Sequence, residues 1–141
     1  MLRSRILIIA LALAGAIAVP ALASGDARRV VGDCTKSQVR PATIVVACAD
    51  ANLQLTHLRW ASFGAATAHA SGSYYINDCN PYCAAGHFHS YPVKVVLSQA
   101  AVCPDKHDDY REATVTFTGS RPSGVKSSHT TLSLPGCPPR P

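Results

Sequence analysis

Residues 111–118 read REATVTFT, and this stretch decides the fold class. Ala113, Val115 and Phe117 alternate with three threonines, which is the period of a β-strand that has one face in a core and one in solvent. We expect these three apolar side chains to point inward. After residue 23, no apolar period of 3.6 residues persists for three helical turns, so the sequence favours strands throughout.

Further strand signals flank this stretch on both sides. The continuous β-branched run ATIVVACA at 42–49 predicts a strand that is buried on both faces. An alternation starts at 53–55 and slips in phase at His57, which indicates either a β-bulge there or a strand that is covered on both faces. Three more strands are predicted over 67–76, 92–97 and 130–134. Short strands at this spacing predict an all-β fold, a small antiparallel sandwich or barrel of about six to seven strands stapled by disulfides.

The first 23 residues have the composition of a secretory signal peptide. Arg3 and Arg5 precede an apolar stretch at 6–19, and Ala21 and Ala23 supply the small residues of a cleavage site. A helix over the apolar stretch would span about 21 Å, shorter than the hydrocarbon core of about 30 Å, so a retained membrane anchor is disfavoured. We therefore predict cleavage after Ala23 and a secreted, extracellular protein.

The rest of the chain divides by composition. Residues 24–40 have little apolar content and are predicted to form an extended N-terminal arm that is tethered through Cys34. Residues 41–134 are predicted to form the β-rich domain, and 135–141 a Pro-rich tail. Residues 105–112 are polar, and we expect a loop or one helical turn there. For the acidic cluster of Asp105, Asp108 and Asp109 we favour a solvated loop over an acid–base or weak cation site.

Charge limits the classes of partner. The 141 residues carry 13 Lys and Arg against 8 Asp and Glu, a net charge of +5. Removing Arg3 and Arg5 with the signal peptide leaves 118 residues with 11 basic and 8 acidic side chains, a net charge of +3. The basic residues are scattered and no run is interleaved with aromatic residues, so we predict no nucleic-acid partner. For the basic residues we favour an ordinary solvated surface over weak attraction to anionic cell-envelope polymers.

All six cysteines lie after the predicted cleavage point: Cys34, Cys48, Cys79, Cys83, Cys103 and Cys137. An even set in an exported chain predicts up to three disulfides, and spacing alone does not choose among fifteen pairings. Cys79 and Cys83 can close a small ring worth about 2 kcal/mol, whereas bridges over tens of residues contribute about 3–4 kcal/mol. We favour bridges from these two cysteines to distant segments, such as the strand that contains Cys48.

The segment NDCNPYCAAGHFHSY at 77–91 is the most distinctive candidate for a binding surface. Its candidate contact residues are Tyr82, His87, Phe88, His89 and Tyr91, because aromatic rings with polar tips suit interfaces. In an extended chain His87 and His89 share one face, which makes them weak candidates for metal ligands. Since exported cysteines pair by default and no second closely spaced cysteine pair is present, we predict neither a metal site nor a cofactor.

Motifs for catalysis are absent from the sequence. It contains no G-x-S-x-G elbow, H-E-x-x-H zinc motif, phosphate-binding loop or dinucleotide fingerprint. Glu112 is the only glutamate, so a pair of catalytic carboxylates cannot be assigned. We predict a non-enzymatic monomer that binds an unknown protein or cell-envelope component and has no membrane span after signal cleavage. The alternatives are an inhibitor of a secreted protease, acting through a disulfide-braced loop, and a small enzyme or metal protein centred on His87 and His89.

One family resemblance covers residues 41–98, about half of the chain after the signal peptide. The matching pieces are Pro41-x-x-Ile44-x-x-Ala47-Cys48, Leu58-x-Trp60-x-Ser62-x-Gly64, Ala68-x-Ala70-x-Gly72, Asn77-Asp78-Cys79-x-Pro81-x-Cys83-Ala84-x-Gly86 and Tyr91-Pro92-Val93. In order and spacing they resemble a family of small exported actinobacterial proteins of uncharacterised function. Phe63 departs from that pattern, in which a second tryptophan is often found. The resemblance implies export and a compact β-rich domain, and it carries over no catalytic residue.

Overall fold

Antiparallel strands account for the architecture of the computed structural model, which describes residues 28–138. The strands are β1 (Val30–Val31), β2 (Ser37–Gln38), β3 (Ile44–Val45), β4 (Leu53–Phe63), β5 (Ala68–Asn77), β6 (Phe88–Val102), β7 (Asp108–Phe117) and β8 (His129–Ser133). Strands β3 to β8 pair in chain order as one six-stranded sheet, which curls into a half-barrel, and β1 pairs with β2 in a separate small sheet. The predicted all-β, antiparallel fold is confirmed.

Two predictions concern segments at the ends of the chain. The signal peptide and its cleavage site lie outside the described residues, as do the last three residues of the Pro-rich tail. From residue 28 to residue 138, no helix has the length and apolar character needed to cross a membrane.

The centre of the core lies between β6 and β7. Ala113, Val115 and Phe117 are buried, as predicted from their alternation with threonine. They stand opposite Leu97, Val95 and Val93, which are buried as well. Each of these cross-strand pairs removes apolar surface from water on the same face of the sheet. That face is the inner face of the half-barrel.

Strand β4 contains a bulge at His57, one of the two explanations that the sequence allows for the phase slip there. The pairing of β4 with β5 shifts between Thr56 and Arg59, so that His57 and Leu58 together face the space opposite Gly72. A Cβ at Gly72 would lie 2.9 Å from Leu58 Cδ2 and 2.7 Å from the Thr56 carbonyl oxygen, so glycine is needed there. The extra residue changes the parity of the strand, and both Leu55 and Leu58 are therefore buried.

The strand predicted over 42–49 is wrong in extent. Only Ile44–Val45 is strand, and it pairs with Gln54 and Leu55 at one edge of the sheet. Ile44 is buried, but Val45, Val46 and Ala47 are only partly covered, because the chain turns away from the sheet after two residues. The apolar composition of residues 42–49 indicated burial on both faces of a strand. Composition does not show where the chain leaves the sheet, which is after Val45.

The described part of the predicted arm, 28–40, is packed onto the domain as the hairpin of β1 and β2. Val30 and Val31 are buried. The backbone of Arg29 donates to the carbonyl oxygen of Asp108 (2.9 Å) and accepts from the amide of Tyr110 (2.9 Å), which fastens β1 to β7. A short run of two valines is enough to anchor a segment whose overall composition is polar.

The prediction of a loop or one helical turn over residues 105–112 is wrong from Asp108 onward. Strand β7 begins at Asp108, and Asp109 is buried, with its carboxylate accepting a hydrogen bond from the hydroxyl of Ser37 on β2. This hydrogen bond satisfies one oxygen, Oδ2, of the buried carboxylate, and a buried polar atom without a hydrogen bond is unfavourable. The N-terminal hairpin supplies that partner, which sequence reasoning could not place.

Three disulfides join the cysteines: Cys34–Cys48, Cys79–Cys83 and Cys103–Cys137. The first ties the N-terminal hairpin to the segment after β3, and the third ties the chain after β8 to the end of β6. The preference for linking Cys79 and Cys83 to distant segments is wrong, since these two residues close the small ring with each other. Both residues belong to the short connection between β5 and β6 and are four positions apart in the sequence.

Candidate functional site

The connection between β5 and β6, residues 78–87, is held by a disulfide and by several side-chain hydrogen bonds, and we call it the disulfide loop. Asn77, at the end of β5, is buried and fixes its two ends. Its side-chain amide donates to the carbonyl oxygen of Cys83 (2.8 Å) and to Asn52 Oδ1 (3.0 Å), and its Oδ1 accepts from the backbone amide of Cys79 (3.0 Å). One side chain thus holds both cysteine positions in place.

Asp78 closes the loop from the other side. Its Oδ1 accepts hydrogen bonds from the backbone amides of His87 (2.9 Å) and Asn80 (3.1 Å), and its Oδ2 lies 2.9 Å from His89 Nε2. The His87 amide, followed by the His89 imidazole and the Asn80 amide, lowers the pKa of Asp78 from 3.8 to about 2. The carboxylate is therefore ionised and accepts from all three groups, which makes His89 Nε2 the donor.

Gly86 allows the loop to fold back on its own base. A Cβ at this position would lie 2.1 Å from Asn77 Oδ1, 2.7 Å from the Cys79 amide nitrogen and 2.9 Å from Asp78 Oδ1. These distances are shorter than van der Waals contact, so no larger residue fits without displacing the hydrogen bonds of Asn77 and Asp78. The conformation of the loop therefore requires glycine at position 86.

Tyr82 projects from this rigid base. Tyr82 is 64% exposed. It lies within the small ring that the Cys79–Cys83 bond closes. A single 3-10 turn, Cys83–Ala85, follows it and ends in the backbone hydrogen bond from Gly86 to Cys83 (3.3 Å). An aromatic ring is thus held in solvent by a loop that is ordered from both ends.

A cleft of about 550 Å³ lies beside the loop. Its lining residues are Ile76, Asn77, Asp78, Asn80, His89, Tyr91, Pro122 and Ser123. Tyr91 is half-buried and packs edge-on against Phe117, with 6.5 Å between ring centroids, so the inner face of the sheet continues into the cleft. The cleft combines apolar floor residues with an ionised carboxylate, an imidazole and an amide.

The five residues predicted for a binding surface have different surroundings in the structure. His89 and Tyr91 line the cleft, and Tyr82 lies at the exposed position of the disulfide loop. Phe88 stacks on Tyr75 with centroids 4.6 Å apart, among residues that alternate with the cleft-lining ones along β6. His87 is exposed, and its backbone amide is bound to Asp78. The structure therefore divides the predicted surface into a loop, a cleft and a stacked aromatic pair.

Sequence reasoning did not single out Asp78, Asn80, Pro122 or Ser123 for the site. Asp78 and Asn80 were within reach, since Asn and Asp at a strand end commonly accept hydrogen bonds from amides of the following turn. Pro122 and Ser123 belong to the connection between β7 and β8, about thirty residues beyond Tyr91 in the sequence. Only the curl of the sheet brings them to the cleft.

His89 is paired with Asp78, and within residues 28–138 no group of three or more His, Cys, Asp or Glu side chains is arranged to hold a metal ion. An imidazole and a carboxylate supply two ligands, whereas zinc sites in proteins have at least three protein ligands.

No protein-family model, curated protein or solved structure matches the chain. The site therefore has to be interpreted from its own geometry.

Proposed function

We propose that this protein is an exported, non-catalytic binding module that acts at or outside the cell envelope, with the disulfide loop as its contact surface. Export, with cleavage after Ala23, is supported by the signal-like N-terminus and by three disulfides, which persist in oxidising compartments.

The observation that carries the binding role is the exposed Tyr82 on a fixed loop. Association requires side chains and loops to be ordered, and this requirement lowers affinity unless the ordering precedes binding. Here Asn77, Asp78 and the Cys79–Cys83 bridge already hold the backbone. A tyrosine ring in solvent supplies a large contact area with two rotatable bonds, the type of residue that dominates binding energy at interfaces.

Site-specific photocrosslinking tests this proposal. A benzophenone amino acid is placed at Tyr82 in one variant and at Val102, which is 71% exposed at the far end of β6, in another. The protein carrying each probe is irradiated in culture filtrate and in a cell-envelope fraction of the source organism. We expect crosslinked partners from position 82 that do not appear from position 102.

A partner found in this way is then purified and its affinity measured. Tyr82→Ala should weaken binding at least about tenfold, whereas Val102→Ala should change it by less than about twofold. Equal crosslinking from both positions, or equal affinities of both variants, would show that the loop is not the contact surface.

The same geometry favours one second candidate, inhibition of a secreted protease. The bridged loop holds Tyr82 in an extended conformation, with φ −153° and ψ 161°, and extended backbone is what a protease cleft binds. An inhibitor would slow a purified secreted serine protease or metalloprotease at micromolar concentration, and Tyr82→Ala would abolish that effect. A panel of such proteases that is unaffected by the wild-type protein removes this candidate.

A further inference from the structure

A second surface lies on the outer face of the sheet, opposite the core. The strand register places Arg59 of β4 opposite Ser71 of β5, and Ser71 opposite Lys94 of β6. Lys94 stands opposite Thr116 of β7, and Thr116 opposite His129 of β8. These five residues form a continuous line across five strands, which we call the outer row.

Every residue of the outer row is exposed. The charged side chains of Arg59 and Lys94 occupy its first and third positions and the imidazole of His129 its fifth, and the small hydroxyl residues Ser71 and Thr116 stand between them. Since neighbouring strands are about 4.8 Å apart, successive basic residues are about 10 Å apart along the row. Residues that are distant in sequence, and look scattered there, thus form a regular array.

The charges of the row are not neutralised by the protein. The ion pairs found within residues 28–138 are Arg28–Asp108 and His89–Asp78, and neither involves Arg59 or Lys94. The nearest carboxylate on the outer face of β7 is that of Glu112, which accepts hydrogen bonds from Ser98 and Gln99. Glu112 lies four residues along the strand from Thr116, about 13 Å away, beyond the screening length of about 8 Å at physiological salt.

Two shallow grooves run beside the row. One, of about 290 Å³, is bordered by His57, Arg59, Ser73 and Pro92, and the other, of about 260 Å³, by Arg59, His69, Lys94 and Val96. Both include Arg59 and Ser71, so the row separates them. The two histidines add further hydrogen-bonding groups on either side of Arg59.

From this arrangement we infer that the outer row binds a linear anionic polysaccharide that carries one carboxylate on every second sugar, with its chain running across the strands. The spacing of about 10 Å between alternate strands is close to the length of one disaccharide unit, so two successive carboxylates meet Arg59 and Lys94 and a third meets the imidazole of His129. Ser71 and Thr116 then face the intervening sugar, whose hydroxyl groups they can bind. The complementarity lies in both charge and period.

Nucleic acid is a poorer match for this row. Duplex DNA carries one charge per about 1.7 Å, far denser than the row, and single strands are bound with aromatic platforms for their bases. No aromatic residue belongs to the row. The outer-face pair of Tyr75 and Phe88 stands about 20 Å from Lys94, three pairs of residues further along β6.

Calorimetric titration of the purified, disulfide-bonded protein with hyaluronate oligosaccharides, which carry a carboxylate on alternate sugars, tests the inference. The wild-type protein should bind hyaluronate and not neutral dextran, with an affinity that falls as salt is added. The double variant R59Q/K94Q should bind at least about tenfold more weakly, because two charge-assisted contacts are lost. The double variant R121Q/K126Q, which removes the same net charge from the connection between β7 and β8, should bind within about twofold of the wild type.

Several results would overturn the inference: absence of hyaluronate binding at low ionic strength, equal weakening by both double variants, or tighter binding of single-stranded DNA than of hyaluronate. Tyr82→Ala separates this surface from the disulfide loop. It should leave hyaluronate affinity unchanged, and a loss of affinity in that variant would place the polysaccharide on the loop instead. Circular dichroism of each variant confirms that the sheet is intact.

Discussion

At the scale of single residues, Asp78 connects the ionisation of one carboxylate to the order of the disulfide loop. Three donors lower its pKa to about 2, so the ionised form is favoured in the folded protein relative to the unfolded chain. This contribution to stability is complete above the unfolded-chain pKa of 3.8 and is lost as the pH falls toward 2. Below that value the loop has lost its negatively charged acceptor.

The variant Asp78→Asn should therefore change the acid limb of the stability profile. We expect the free energy of unfolding of the wild-type protein to fall more steeply between pH 4 and pH 2 than that of the variant, because the variant has no proton to bind at this position. Urea unfolding across this range measures both profiles. Parallel acid limbs in the two proteins would contradict the role assigned to Asp78.

Gly86 offers a second test at the same scale. Gly86→Ala places a methyl group 2.1 Å from Asn77 Oδ1 and should reduce the free energy of unfolding by about 1–3 kcal/mol, the usual effect of overpacking. Gly64→Ala is the matched control, since the nearest atom to its new Cβ is 3.4 Å away. Its expected effect is below about 0.5 kcal/mol. Equal losses in both variants would mean that the packing of Gly86 does not support the loop.

At the scale of elements, the β1–β2 hairpin is a stabilising part of the domain. Val30→Ala should lower the free energy of unfolding by about 1–3 kcal/mol, because Val30 is fully buried in the main core. Val39→Ala makes the same change nine residues later, where the side chain is 47% exposed, and should have an effect within about 0.5 kcal/mol. If denaturant unfolding shows no difference between the two variants, the hairpin adds nothing to stability.

Elements differ in how far their sequence determines them. Strand β7 was predictable because its inner residues alternate strictly with threonine and it lies between two other strands. The phase slip in β4 is visible in the sequence, but a bulge or a strand covered on both faces could each bury Leu55 and Leu58, and only the register with β5 shows that it is a bulge. The short extent of strand β3 was not predictable, because composition reports how apolar the side chains are and not where the chain leaves the sheet. The same limit applies to Asp109, whose partner Ser37 is 72 residues away.

At the scale of the whole molecule, both candidate surfaces are products of topology. The loop that carries Tyr82 is local and was predicted as a binding segment, whereas the cleft beside it needs Pro122 and Ser123 from another connection. The outer row draws one residue from each of five strands, so no local pattern reveals it. Scattered charges in a β-rich chain become an array once the register is known. Sequence alone therefore singled out one candidate segment and could not show how the residues of either surface come together.

The disulfides divide their effects between global stability and local order. Loop-entropy arguments rank the bridges by the chain they enclose, with sequence separations of 34 for Cys103–Cys137, 14 for Cys34–Cys48 and 4 for Cys79–Cys83. Replacing each pair by serine should reduce the free energy of unfolding by about 4, 3 and 2 kcal/mol in that order. Urea unfolding of the three double variants measures the series.

The smallest ring should nevertheless have the largest effect on recognition. Without the Cys79–Cys83 bond the sheet keeps its register, since the strand pairs of β5 and β6 do not depend on that bond, but Tyr82 loses its fixed position. In C79S/C83S we expect amide hydrogen exchange to accelerate in residues 78–87 while β6 and β7 stay protected. If exchange rises equally throughout the sheet, the Cys79–Cys83 bond stabilises the whole domain and does not act mainly by ordering the disulfide loop.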